Sequence, residues 1–380
     1  MMKNKIRILH VAQAAGGVDR YIQMLLKYLD KEKVENILVC SQDFHKDDYN
    51  GLVDYFEQIE MTRAIGGNDL KAIKEVRALI KKYNPDIVYA HSSKAGAIAR
   101  VADIGLKNHC VYNPHGWAFN MRCSAMKKAI YTAIEKIAAP FCDKIICISD
   151  AEKQSALNKK ICREDKLQVI FNGVDIESYE NGVHGAVKRK DLNIPEDAFV
   201  VGMVGRMSPQ KAPDVFVKMA KKVKDAVPNA HFIIVGNGNQ EAEIRKYAEE
   251  NGFADCLHIT GWVDNPMSYV EIFDVACLLS RWEGFGLALP EYMMAGKPIV
   301  ASSVDAIPNI IRDGENGLLV EVDDASGASK AVYELYTNDE LKDSLIENAY
   351  KDVHERFDEK RVASEHMKLV EDLCANKKEA

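Results

Sequence analysis

The segment richest in chemistry runs Glu283-Gly284-Phe285-Gly286-Leu287-Ala288-Leu289-Pro290-Glu291. Gly284 and Gly286 allow the backbone to approach a ligand closely. Pro290 falls early in the helix that follows, where its missing N–H does little harm. The amides of Phe285, Gly286 and Leu287 then form an anion site that the helix dipole reinforces. Glu283 and Glu291 repel phosphate but accept hydrogen bonds from sugar hydroxyls. The bland alternative makes Glu291 a first-turn glutamate and Glu283 a surface-loop residue.

Gly205-Arg206-Met207-Ser208-Pro209-Gln210-Lys211 supplies two cations. Arginine grips phosphate oxygens bidentately and lysine acts as a point charge. Both can neutralise charge developing on a departing diphosphate, although a solvated turn has the same composition. Gly236-Asn237-Gly238 is half of a dinucleotide fingerprint, with no third glycine in place, and reads equally as a tight turn. In Thr260-Gly261-Trp262-Val263, Trp262 and the backbone at Val263 can hold a base, or Trp262 can pack.

Three loops carry candidates in the first half: Gly16-Gly17, His91-Ser92-Ser93-Lys94, and Asn113-Pro114-His115-Gly116-Trp117-Ala118-Phe119. His115 is a ligand-facing candidate, against the commoner structural role of a lone histidine. His91 and Lys94 are assigned to an acceptor. Trp117 and Phe119 stack on a sugar face or simply pack. No Asp-x-Asp triplet, G-x-S-x-G elbow or P-loop occurs, which argues against a metal-held diphosphate and against those two chemistries.

The positioning elements alternate. Strands at Ile6–Val11, Ile37–Cys40, Ile87–Ala90, Val111–Asn113, Lys144–Ile148 and Leu167–Phe171 are separated by helical patterns, including residues 69–83. There Leu70, Ile73, Val76, Leu79 and Ile80 repeat at helical spacing until Asn84-Pro85-Asp86. The polar stretch 181–190 reads as a connection. A second series follows at Phe199–Val204, His231–Val235, Leu257–Thr260, Val275–Leu279, Pro298–Ala301 and Gly317–Val320. Helices at Pro213–Lys224 and about 325–375 accompany it. This α/β alternation predicts two doubly wound parallel sheets with ligands beyond the carboxyl ends of their strands. In residues 121–137, Met126, Ile130, Ile134 and Ile137 form a stripe beside Lys127, Lys128 and Lys136. The stripe is read as core-facing, with a membrane surface as the alternative.

A chain of 380 residues exceeds one ordinary core. Met1-Met2-Lys3-Asn4-Lys5 has a basic start, but Arg7 and His10 break the apolar run, so a first strand fits better than a signal peptide. Nine cysteines without metal-site spacing read as reduced thiols of a cytoplasmic protein. Net charge is −7, divided unevenly. Residues 1–175 hold 27 Lys and Arg against 21 Asp and Glu, and the remainder 23 against 36. Nucleic acid is excluded as a partner, and the basic first half is compatible with an anionic membrane face.

These motifs resemble those of glycosyltransferase family 4, retaining enzymes of the GT-B fold: two Rossmann-like domains facing across a cleft. The likeness spans nearly the whole chain. It is most specific in EGFGLALPEYMMAGKPIVASSVDAIPNIIRDGENGLLV (Glu283–Val320), with support from Arg206, Lys211 and Asn172-Gly173-Val174-Asp175. It implies a first domain at 1–172, a donor domain at 173–357, and a last helix (about 358–380) packed back on the first. By resemblance, Glu291 holds the donor ribose, and Glu283 contacts the transferred sugar with the Phe285, Gly286 and Leu287 amides nearby. Arg206 and Lys211 bind the diphosphate, His115 sits beside the anomeric carbon, and Gly16 and Gly17 approach from the other side. Gly205, Gly236 and Gly238 complete the donor loops. Ala212 departs from the glycine usual after the lysine. AHSSKAGAIAR and NPHGWAF are similar to capsule and exopolysaccharide transferases that extend lipid-diphosphate sugars at the inner membrane face.

The expectation is metal-independent, retaining transfer from a UDP- or GDP-sugar to a glycan, with no cofactor. A small soluble acceptor, or a non-catalytic nucleotide-sugar binding protein, is the alternative. A nicotinamide oxidoreductase lacks its G-x-G-x-x-G fingerprint here.

Overall fold

The computed structural model describes residues 5–13, 16–62, 66, 68–121, 123–182 and 187–375. The readings of Met1–Asn4 and of part of the 181–190 connection therefore lie outside the described residues. The chain divides into two compact units, Met1–Asn172 with Glu359–Ala380, and Gly173–Asp358.

The first unit begins with β1 (Ile6–Ala12), α1 (Gly17–Tyr28), β2 (Val34–Cys40) and β3 (Tyr55–Gln58). It continues through α2 (Asn68–Tyr83), β4 (Ile87–His91), α3 (Ser93–Ala102), β5 (His109–Asn113) and α4 (Ala125–Ala138). β6 (Lys144–Cys147), α5 (Asp150–Asn158) and β7 (Leu167–Val169) complete its continuous part. The sheet order is β3-β2-β1-β4-β5-β6-β7, and the pairings are parallel. β3 has no counterpart in the sequence reading, because Tyr55–Gln58 has no buried residue to give it an apolar pattern. α2 ends where Asn84 adopts φ +43 before Pro85.

The second unit runs α6 (Ile176–Glu180), β8 (Phe199–Val204), α7 (Pro213–Ala226), β9 (Ala230–Val235), α8 (Glu241–Glu250), β10 (Leu257–Ile259) and α9 (Met267–Val270). It then forms β11 (Val275–Leu278), α10 (Ala288–Met294), β12 (Ile299–Ser302), α11 (Ile307–Ile310), β13 (Leu318–Val320), α12 (Ala325–Thr337) and α13 (Asp339–Arg356). Its sheet order is β10-β9-β8-β11-β12-β13, again parallel. The last helix, α14 (Glu359–Ala375), belongs to the first unit.

Both faces of the first sheet are buried, as parallel sheets require. Leu9, Val11, Val88 and Ala90 pack toward Val76, Ile98 and Ala99 of α2 and α3. Ile8, Ala12, Leu38 and Val111 pack toward Ile22 and Leu25 of α1 and toward Val362 and Met367 of α14. The core of the second unit gathers Val201, Met203, Phe232 and Ile234 with Phe216, Ala220 and Val332.

One expected packing is reversed. Met126, Ile130 and Ile137 are exposed, at 72%, 48% and 71%, while Ile134 is half-buried, so most of the apolar stripe of α4 faces solvent rather than core. The buried residues of α4 are Glu135 and Ala138. Glu135 accepts from Arg100 Nη2 at 2.9 Å and from Tyr112 Oη at 2.8 Å, and the Arg100 guanidinium lies 4.0 Å above the Tyr112 ring. A buried, hydrogen-bonded ion pair fastens the helix, and the stripe is left over. Periodicity located an apolar face but not the polar anchor opposite it.

Candidate functional site

Most of the candidates sit on loops or helix starts at the carboxyl ends of strands. In the second unit the loops after β8, β9 and β11 are interlocked. Gly205 N donates to Val235 O at 2.9 Å, and Met207 N donates to Asn237 O at 2.9 Å. This contact explains the two glycines of the Gly236-Asn237-Gly238 turn. A Cβ at Gly236 would lie 2.3 Å from Gly205 O, and one at Gly238 2.1 Å from Met207 O. The glycines serve loop-on-loop approach, a reason the fingerprint reading did not contain. The next loop joins through the Gly236–Gly261 bridge. Trp262 follows at 71% exposure, which removes the core reading for it, and Val263 is half-buried.

Lys211, at the end of the β8 loop, forms an ion pair with Glu283 Oε1 from the loop after β11. Ser280 Oγ donates to the same oxygen at 2.7 Å, and the Glu283 amide donates to Asp305 Oδ2 at 3.0 Å. Glu283 is buried, so it is not a surface-loop residue. Lys211 is thus not a free phosphate ligand; it is a cation already balanced by a carboxylate. Arg206, five residues earlier on the same loop, is exposed and has no hydrogen bond or ion pair among the described residues. Ala212 opens α7 at φ +49, the left-handed region where a glycine is easier.

Arg281 escaped the sequence reading. Its guanidinium donates to Pro209 O at 3.0 Å and Asp214 Oδ2 at 2.6 Å and reaches Asp323, while its amide donates to Gln210 O at 2.8 Å. It ties the β11 loop to the β8 loop and so registers Glu283 against Lys211. No motif marks it, because an arginine beside a tryptophan in a loop has no spacing signature.

Phe285 is buried, edge-on to Phe357 with ring centroids 5.8 Å apart. Gly286 (φ +88) and Leu287 lead into α10. Glu291 is buried at 4% exposure. Tyr292 beside it accepts from Val204 N at 2.7 Å, which pins α10 to the end of β8.

In the first unit, Gly16 (φ +107) and Gly17 open α1, and a Cβ at either would meet nothing within 4 Å. His115 follows β5 at φ +51, and Ser92 follows β4 at φ +77. Two non-glycine residues held in the left-handed region at neighbouring strand ends are the kind of strain that gathers at functional sites.

Four acceptor-side assignments need correction. Trp117 and Phe119 are both 2% exposed, stacked at 5.2 Å, and the Trp117 indole donates to Glu152 O at 3.0 Å. They are core, because α5 and the sheet cover them. His91 is fully buried and holds two histidines instead of facing a ligand. Lys94 is mostly buried and ion-paired with Asp69.

The histidines form a chain that sequence reasoning did not find. Asn36 Oδ1 lies 3.3 Å from His10 Nε2, His10 Nδ1 is 3.1 Å from His91 Nε2, and His91 Nδ1 is 3.1 Å from His115 Nε2. Beside the chain, His366 of α14 donates from Nδ1 to Val362 O at 2.8 Å and accepts at Nε2, where the Tyr21 and Tyr89 hydroxyls lie at 2.9 Å. Burial lowers the pKa of His10 and His366 to about 4, that of His115 to about 3, and that of His91 well below its usual value. All four are neutral imidazoles at physiological pH. The available signal was the presence of polar residues at inward positions of otherwise apolar strands, His10 in IRILHVA and Asn36 in VENILVC.

Comparison with known proteins places this geometry. Residues 15–178 match the family model "Glycosyltransferase Family 4" and residues 186–352 match "Glycosyl transferases group 1". The UDP-Gal:alpha-D-GlcNAc-diphosphoundecaprenol alpha-1,3-galactosyltransferase of Escherichia coli is 28% identical, covering 98% of this chain and 99% of its own. The capsular polysaccharide biosynthesis glycosyltransferase CapM of Staphylococcus aureus is 23% identical over 94% of each chain. Among solved structures, Anabaena HepE in complex with UDP superposes with a TM-score of 0.81 at 19% identity, covering 97% of this chain and 100% of that one. The two parallel-sheet units are those of the GT-B fold, and the two family models between them account for both units: the chain belongs to glycosyltransferase family 4.

Proposed function

We propose that the chain transfers a sugar, with retention and without a metal, from a uridine diphosphate donor to a glycan carried on a lipid diphosphate. The observation that carries the reading is the preformed Lys211–Glu283 pair, clamped by Ser280 and Arg281, on loops shared with Arg206, which is unpaired among the described residues. In this reading Arg206 grips the diphosphate directly. Lys211 adds positive potential at the leaving oxygen, and Glu283 accepts hydroxyls of the sugar. Glu291 serves the ribose, and Trp262 with the Val263 backbone serves the base. The departing diphosphate itself takes the acceptor proton, so no carboxylate nucleophile is required, and fixed cations supply the stabilisation of the leaving group. His115 meets a substrate hydroxyl.

The uridine assignment is supported by the named donor of the Escherichia coli relative and the nucleotide bound to HepE. The lipid-diphosphate acceptor is supported by that same relative. The exposed face of α4, Met126, Ile130 and Ile137 beside Lys127, Lys128 and Lys136, suits peripheral contact with an anionic bilayer. Among the described residues no helix is long and apolar enough to cross one.

The test is to incubate the protein with UDP- and GDP-sugars and a diphosphoprenyl acceptor, with and without chelator, and to follow nucleotide release and the product anomer. Acceptor-dependent UDP release, a retained anomer and indifference to chelator are expected. Inversion, or loss of turnover on chelation, overturns the corresponding part.

A further inference from the structure

Four adjacent strands carry the chain of polar side chains ending at His115: Asn36 on β2, His10 on β1, His91 on β4, and His115 just past β5. The register puts the first three on one face, since Ile8 pairs with Asn36 and Ala12 with His91, while Ile8, His10 and Ala12 alternate inward together. The ring planes are nearly aligned, 18° apart for His10 and His91 and 23° for His91 and His115, with centroids 5.4 Å apart in each case.

We propose that Asn36, His10 and His91 act as positioning residues that fix the tautomer of His115, so that its Nδ1 presents a lone pair to the substrate. The direction of the chain follows from hydrogen-bond valence. A neutral imidazole has one N–H and one acceptor nitrogen. Asn36 Oδ1 accepts only, so His10 must donate from Nε2 and accept at Nδ1. His91 then donates from Nε2 to His10 and accepts at its own Nδ1. His115 in turn donates from Nε2 to His91, leaving Nδ1 bare. Nδ1 of His115 has no protein partner among the described residues, and the ring is half-buried rather than sealed.

Burial keeps every link neutral, which the argument requires, because a charged imidazole donates from both nitrogens and erases the direction. The titratable groups facing the chain are Tyr21 of α1, Tyr89 of β4, and His366 and Glu359 of α14; the tyrosines are pushed up by burial and stay protonated. Holding a histidine in one tautomer through a partner it never shares with substrate is an established catalytic device. The inference rests on the reading above that His115 meets the substrate, and its test separates the two.

The experiment uses the full chain labelled with [15N]histidine, with the ring resonances of His115 assigned by their loss in His115→Gln. At neutral pH His115 must show the Nε2–H tautomer with an unprotonated Nδ1. An Nδ1–H ring, or an exchanging mixture, overturns the proposal without recourse to any variant. Asn36→Leu removes the terminal acceptor far from the substrate. It is expected to turn the His115 signal into a mixture and to lower kcat about tenfold while donor KM stays roughly constant. An unchanged His115 tautomer in Asn36→Leu overturns the inference. Should Asn36→Leu not fold, the parent spectrum decides alone. Undiminished turnover in His115→Gln counts against the functional role of His115, whereas the tautomer is read independently of turnover.

Discussion

At the scale of residues, the proposed chemistry rests on the Lys211–Glu283 ion pair and on Arg206, which has no hydrogen bond or ion pair among the described residues. Glu283 is buried against Lys211 and Ser280, so Glu283→Gln leaves a partly buried ammonium with a neutral amide. Losing one partner of such a pair costs more than an exposed pair is worth. The variant is expected to lower turnover by about 10² or more while thermal unfolding shows a single transition. Arg206→Ala removes a side chain without partners among the described residues, so it is expected to weaken UDP binding in calorimetry with the unfolding midpoint unchanged. Unweakened binding removes Arg206 from the diphosphate. The placement of Arg206, Lys211 and Glu283 on loops at strand ends was legible in the sequence because loop cations and a glycine-flanked carboxylate have a spacing. Arg281 and His10 were not legible. One makes its contacts through tertiary neighbours, and the other sits in an apolar strand where a histidine passes for core.

At the scale of elements, what positions the pair is loop-on-loop contact. Gly236→Ala or Gly238→Ala drives a methyl into the backbone at Gly205 or Met207. Either is expected to destabilise the second unit by about 2 kcal/mol or more and to weaken UDP binding, because the displaced loop carries both cations. Normal unfolding and normal binding together contradict this account of the turn. α4 shows the reverse case, a helix whose anchor is polar and whose apolar face is spare. Ile130→Asp with Ile137→Asp is expected to leave the unfolding midpoint nearly unchanged and to abolish sedimentation with anionic vesicles; retained sedimentation excludes this face. Strands and helices of both sheets were readable from alternation and period. β3 and the outward stripe of α4 were not, since one lacks a pattern and the other has a pattern that fits two environments.

At the scale of the molecule, buried titratable groups set the pH range of the fold. His10, His115 and His366 have folded pKa values of about 4, 3 and 4, and His91 is also lowered. Their unfolded value is about 6.5. Below 6.5 the unfolded chain binds more protons, so stability falls with acidification, by about 1.4 kcal/mol per pH unit for each such group, until the folded pKa is reached. Glu152 runs the other way: burial raises it to about 8, so its contribution is complete below its unfolded pKa and fades as pH rises toward 8. In the second unit burial also lowers His258 to about 4 and lowers His231, and six histidines against one carboxyl place the optimum of thermal stability near pH 6.5, with a steep acid limb and a shallow alkaline one. A midpoint that is flat between pH 6.5 and 4.5 contradicts neutral burial of the histidine chain. The two-unit α/β architecture was readable because the strand–helix series restarts after Asp175.

The most direct measurement is acceptor-dependent release of UDP by Lys211→Ala relative to the parent chain, at saturating UDP-sugar. The account predicts a fall of about 10²–10³ with the fold intact. Release within about twofold of the parent contradicts electrostatic help from Lys211 to the departing diphosphate.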